Sequence, residues 1–111
     1  MLNSLFGNDT AMKVLLFLAN YEDGYAAEIA DTFNISLNMV QKQLQKFEET
    51  GILVSYFRGR TRLFTWNPRY PLRKELLQFL NKALALKPKE EIRRYYRKRR
   101  RPGRLDKPFQ I

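Results

Sequence analysis

Asn38, Gln41, Lys42 and Gln45 fall three and four residues apart, so a helix carrying them would set three amides and an ammonium along one side. An amide donates and accepts at once, and an ammonium donates three hydrogen bonds, so such a face suits a flat edge offering paired donors and acceptors. Further on, Arg58, Arg60 and Arg62 alternate, and Arg97, Arg99, Arg100 and Arg101 crowd a terminal run. Guanidinium groups in that density address phosphate or carboxylate oxygens. Catalysis is another matter. The chain has no histidine and no cysteine, which removes imidazole bases, thiolate nucleophiles, disulfides and the usual ligands of zinc and copper. The work would fall to carboxylates such as Glu28, Asp31, Glu48 and Glu49, which show no paired spacing and no glycine-rich phosphate loop nearby. We expect no enzyme, no cofactor and no metal.

The elements that must hold the amide face follow from the apolar pattern. Leu37, Val40, Leu44 and Phe47 make one stripe on a helix over 37–50. A half-turn away lie Asn38, Lys42 and Gln45, with Gln41 and Lys46 on the flanks. A shorter helix precedes it over 26–33, where Ile29, Ala30 and Phe33 share a face and Ala30 is small at the point where a second helix must come close. Asn34 tolerates the left-handed backbone that ends a helix, Ile35 fills the corner and Ser36 is an N-cap residue. Gly51 ends the longer helix. Residues 52–58 and 61–66 are rich in β-branched and aromatic side chains around Gly59-Arg60, which reads as a hairpin with Arg58, Arg60 and Arg62 at its tip. Pro68 and Pro71 then bar helix at the residues before them and make a rigid connector.

Ile29-Ala30, Phe33-Asn34-Ile35-Ser36, Val40, Leu44 and the run Glu48-Glu49-Thr50-Gly51-Ile52-Leu53 resemble the winged helix-turn-helix transcriptional regulators, the ArsR-like group in particular. The resemblance covers residues 8–86. It implies a mainly α fold with a small β-hairpin, a winged helix-turn-helix with extra terminal helices and a basic C-terminal tail. It also implies sequence-specific binding of double-stranded DNA, with 37–50 as recognition helix in the major groove and the wing, 52–66, on phosphates. Asn and Gln can bond bidentately to adenine, and Lys can reach guanine acceptors, so Asn38, Gln41, Lys42 and Gln45 are the expected base readers. Asn38 and Gln41 stand nearest the helix N-terminus, which reaches deepest. Ser36, Lys46, Arg58, Arg60, Arg62 and the tail residues Arg97, Arg99, Arg100 and Arg101 are the expected phosphate contacts. Glu48 and Glu49 would repel phosphates, so the DNA-facing part should end near Lys46. ArsR-like proteins include metal sensors built on cysteine and histidine, and this chain has neither.

Of the net +10 charge on 111 residues, 1–86 contribute ten Lys/Arg against eight Asp/Glu, and 87–111 contribute eleven against three. We read 1–86 as a DNA-binding domain with flanking dimerisation helices and 87–111 as a basic helix and arm. Pro88 opens that helix, Glu90 and Glu91 stand in its first turn, and Ile92, Tyr95 and Tyr96 form an apolar edge. From Arg99 onward no fixed structure is expected without a partner. Met1 to Gly7 suggest a short helical turn.

The helix over 10–20 is apolar nearly all round, so it is either part of a subunit interface or the central core helix. Residues 72–86 carry Leu72, Leu76, Phe79, Leu80, Ala83 and Leu84 on one side, and either complete a dimer seam with 10–20 or fold back on their own domain. A homodimer through both is expected, since DNA readers of this kind pair two helices across a two-fold axis. No apolar run reaches the ~20 residues of a membrane span, which points to the cytoplasm. The alternative function is a winged-helix adaptor or antitoxin-like protein that binds a protein partner or RNA, with Tyr95 and Tyr96 stacking on single-stranded bases.

Overall fold

The computed structural model describes residues 9–96. The expected turn at 1–7 and the arm from Arg99, with Arg97 and Lys98 before it, lie outside the described residues. Helix α1 (Asp9–Tyr21) is the axis of the fold. Its Ala11, Met12, Val14, Leu15, Leu16, Phe17 and Leu18 are each at most 3% exposed, so of the two readings of this helix the core one is realised. That corrects the expected dimer seam through 10–20, because the apolar side chains of α1 are already buried in their own chain.

Helices α2 (Ala26–Phe33) and α3 (Leu37–Glu49) pack on α1 and on each other. At the start of α2 the Tyr25 amide donates to Glu28 Oε1 at 3.2 Å. At its end Asn34 adopts φ 55°, ψ 51°, and the amides of Asn34 and Ile35 donate to Asp31 O and Ala30 O. This crossed pair is how a left-handed residue closes a helix. Ser36 Oγ then accepts from the Met39 amide at 3.3 Å, capping α3 as its residue type implies. Gly51 (φ 86°) ends α3 by the same device, with Gly51 N donating to Glu48 O and Ile52 N to Phe47 O.

Strands β1 (Asp23–Tyr25), β2 (Leu53–Arg58) and β3 (Thr61–Trp66) form an antiparallel sheet in the order β1-β3-β2. The hairpin is the expected wing. Strand β1 is an addition, since Asp23-Gly24 reads as a turn in sequence yet pairs with β3, Gly24 opposite Phe64. Trp66 Nε1 donates to Leu18 O at 3.0 Å and fixes the sheet to α1. Asn67 clamps the wing's base, its Nδ2 donating to Gly51 O and its amide to Ile52 O. Trp66→Phe removes the N–H and one of the two fused rings of a side chain that is only 8% exposed. Leu18 O still accepts from the Glu22 amide at 2.8 Å, so the lost hydrogen bond costs about 1 kcal/mol and the lost ring volume adds to it, for an expected total of about 2–3 kcal/mol, read as a lowered denaturant midpoint with an unchanged slope.

Helix α4 (Arg73–Ala85) lays Leu80 and Leu84 against α1, so it folds back on its own domain. The single apolar side expected for 72–86 is split. Leu72, Phe79 and Leu86 are 58%, 40% and 78% exposed on a neighbouring stripe. A last helical turn, α5 (Lys89–Glu91), runs into a π-helical turn over Ile92–Tyr96. Here Tyr21 OH donates to Tyr95 O at 2.9 Å and Asn20 Nδ2 to Tyr96 O. The Phe33 ring lies 5.2 Å from that of Tyr95 and 5.7 Å from that of Tyr96. Tyr96 is 4% exposed and Tyr95 is half-buried, so with Ile92 they pack on the core as the expected apolar edge, and the base stacking that the alternative function asks of them is not open to Tyr96. Burial, with the Glu91 carboxylate adding to it, holds the Tyr96 phenol well above its ordinary pKa and therefore neutral.

Candidate nucleic-acid interface

With Val40, Leu44 and Phe47 buried, α3 turns Asn38, Gln41, Lys42, Gln45 and Lys46 to the surface. They do not form one flat face. Gln41 and Gln45 line a groove of about 620 Å³ whose other walls are Ala26 and Ala27 at the start of α2 and the wing residues Phe57, Arg60 and Arg62. Asn38 and Lys42 lie further round the helix, away from that groove. The arrangement is a polar ridge with a trough along one side, and the trough brings two amides within one cavity of two arginines.

Leu37 corrects the expected stripe. It is 45% exposed and lines the groove, although it stands only about 20° round the helix from the buried Leu44, because it is the first residue of α3, on the side open toward the wing. Ser36 is exposed at the helix start, its oxygen occupied by the Met39 amide. That bond uses a lone pair and leaves the hydroxyl proton to donate.

The wing's geometry comes from its turn. Gly59 has φ 64°, and Arg60 is not among the positive-φ residues, the pattern of a type II′ hairpin. The resulting register pairs Phe57 with Arg62 and Arg58 with Thr61. Arg58 is exposed near the tip on the opposite face of the strand from Phe57. Arg62 is held where it stands. Its Nη1 donates to Ser55 Oγ at 2.9 Å, Ser55 Oγ donates to Glu48 Oε2 at 2.7 Å, and the guanidinium carbon lies 4.5 Å from the centre of the Phe57 ring. Glu48 Oε1 is 3.9 Å from Arg62 Nη1. Thus Glu48, expected only to repel phosphates, ties the end of α3 to the wing and orients an arginine along the groove wall.

Sequence reasoning missed this Glu48-Ser55-Arg62 chain. Half of it was within reach, since a two-residue turn at Gly59-Arg60 sets Ser55 diagonal to Arg62. The link to Glu48 depends on how α3 packs under the sheet, which no local spacing encodes. Of the expected phosphate contacts, Arg97, Arg99, Arg100 and Arg101 lie outside the described residues. Among the described residues, no cluster of acidic side chains could hold a metal ion, and no helix is long and apolar enough to cross a membrane.

No protein-family model matches the chain, and no curated protein matches it. Solved structures do. A ZitR variant from Lactococcus lactis is 27% identical with a TM-score of 0.54, over 70% of this chain and 56% of that one. A second ZitR variant is 23% identical with a TM-score of 0.53, over 75% and 71%. YusO from Bacillus subtilis is 16% identical with a TM-score of 0.56, over 80% and 70%. The chain spans just over half the length of the first of these. What this chain shares with them is the winged helix-turn-helix fold.

Proposed function

We propose that this protein is a sequence-specific double-stranded DNA-binding transcriptional regulator of ArsR-like type, working in the cytoplasm. Helix α3 enters the major groove with the trough beside it open toward the base edges, and the wing arginines across the trough meet the flanking phosphates. One observation carries the reading: amides and ammonium groups stand exposed on α3 opposite a buried stripe, beside a groove walled by Arg60 and Arg62. Asn38, Gln41, Lys42 and Gln45 read base edges, while Ser36, Lys46, Arg58, Arg60 and Arg62 hold phosphates. The tail arginines add sequence-independent affinity.

The partner is a second copy of the chain, joined through α4. Leu72, Leu76, Phe79, Ala83 and Leu86 recur at alternating spacings of four and three, the seam of a two-helix packing. Three of these five are exposed and the other two half-buried. The absence of cysteine and histidine leaves the metal-sensing chemistry of the ArsR-like group without its usual ligands.

Selection of bound duplexes from a random pool, with the bound species sized at the same time, tests the reading. Enrichment of a near-palindromic site by a dimer supports it, and recovery of single strands alone refutes it. Once a site is known, Asn38→Ala and Gln41→Ala are expected to change which sequence is preferred, each costing about 1–3 kcal/mol of discrimination at its base pair. Arg58→Gln or Arg60→Gln should weaken all duplexes alike and lower the salt slope by about 1 each. Competitive binding against a panel of single-base variants checks both.

A further inference from the structure

We propose that Leu37 is a base-reading residue, its side chain seated on the 5-methyl group of a thymine next to the base that Gln41 reads. The inference rests on α3 being the element in the major groove. Leu37 is the first residue of α3 and lines the trough one turn ahead of Gln41. It is 45% exposed, whereas Val40 and Leu44 on the same helix are fully buried. The protein's own core therefore leaves much of this leucine unused. Met39 is as exposed, at 48%, yet does not line the trough.

Chemistry selects the occupant. Thymine is the one base that presents an alkyl group in the major groove, and adenine presents the donor and acceptor that an amide such as Gln41 matches bidentately. Leu37 and Gln41 are four residues apart, so their side chains are neighbours along the helix surface. They form a reading head with an apolar part and an amide part, suited to a thymine beside an adenine. Ala26, Ala27, Phe57 and Phe64 share the trough with Leu37, but Gln41, Gln45, Arg60 and Arg62 line it too, and two guanidinium groups beside two amides favour a polyanion with polar base edges over an apolar peptide. The position also fits, since the first residues of such a helix approach the bases most closely.

The test uses the full-length chain and a duplex it has itself selected from a random pool. Each thymine is replaced in turn by deoxyuridine, which deletes the 5-methyl and keeps the base pairing. At one position at least, the swap should lower wild-type affinity about three- to fourfold, the value of one buried methyl-sized group. Leu37→Ala should bind the thymine duplex more weakly by a similar factor and be indifferent to that swap. Leu37→Ser gives a second reading, with thermal melting confirming that both variants fold. The proposal is overturned if no swap moves wild-type affinity, or if the Leu37 variants respond to the swap as the wild type does. Failure to enrich any duplex removes the reading of α3 itself, and this inference with it, so the two failures are distinct.

Discussion

A chain ending at Tyr96 is expected to bind a selected duplex with a log–log salt slope shallower by about 4–5 than that of the full-length chain, with its base preference intact. Seven Lys/Arg and one Asp lie beyond Tyr96. If about five of these cations meet phosphates, each contributes ~0.9 to the slope through counterion release. Between 50 and 200 mM salt the advantage of the full-length chain should then shrink by roughly 500-fold. The cut belongs at Tyr96 rather than at Lys87. Residues 92–96 carry core aromatics, and their carbonyls accept from Asn20 and Tyr21, so an earlier cut would mix lost stability with lost charge. The exit point also favours DNA contact. Tyr96 packs on Phe33, only three residues before the cap of α3 at Ser36. Titrations at four salt concentrations on both chains give the answer. Equal slopes would mean that the tail touches no DNA, and a changed site preference would mean that it reads bases.

What was legible in the sequence was whatever depends on neighbours along the chain. Helical spacing placed Val40, Leu44 and Phe47 inward, and Asn34, Ser36, Gly51 and Gly59 marked the ends of elements because each residue type suits one backbone state. What was not legible depends on partners distant in sequence. Strand β1 exists because β3 is there to pair with it, and three residues with an Asp-Gly start carry no strand signal of their own. Tyr95 and Tyr96 sit among arginines, so composition argued for exposure, while Phe33 and α1 supplied the pocket. Leu37 matched the stripe by spacing and by angle, and stands exposed because what covers the first turn of a helix depends on elements distant in sequence. The site shows the same division. The exposed amides could be read from period alone, but the groove that organises them, and the Glu48-Ser55-Arg62 chain that stiffens its wall, needed the packing of α3 under the wing.

That packing rests on the corner where β1 meets α1, and a double-mutant cycle there should give the largest stability effects in the molecule. Phe17 is fully buried, with its ring 4.6 Å from that of Tyr21 and 6.4 Å from that of Phe33. Phe17→Ala is expected to cost about 3–5 kcal/mol, a large share of the ~5–15 kcal/mol that holds a domain of this size together. Gly24 stands against the same ring, and a Cβ added to it would lie 2.6 Å from Phe17 Cε1. Gly24→Ala alone should therefore cost about 1–3 kcal/mol through overpacking. In the double variant the new methyl enters the space the ring has left, so the combined loss should fall short of the sum by at least about 1 kcal/mol. Denaturant titrations of the four proteins measure the coupling. An additive cycle would show that β1 shifts to admit the methyl rather than pressing on Phe17. The shift would have a functional trace, because Gly24 pairs with Phe64 and Phe64 lines the groove beside Gln41 and Gln45. A displaced β1 would move the wing relative to α3. Folded Gly24→Ala protein would then lose duplex affinity even though the changed residue touches no DNA, whereas a β1 that holds its place would leave affinity unchanged.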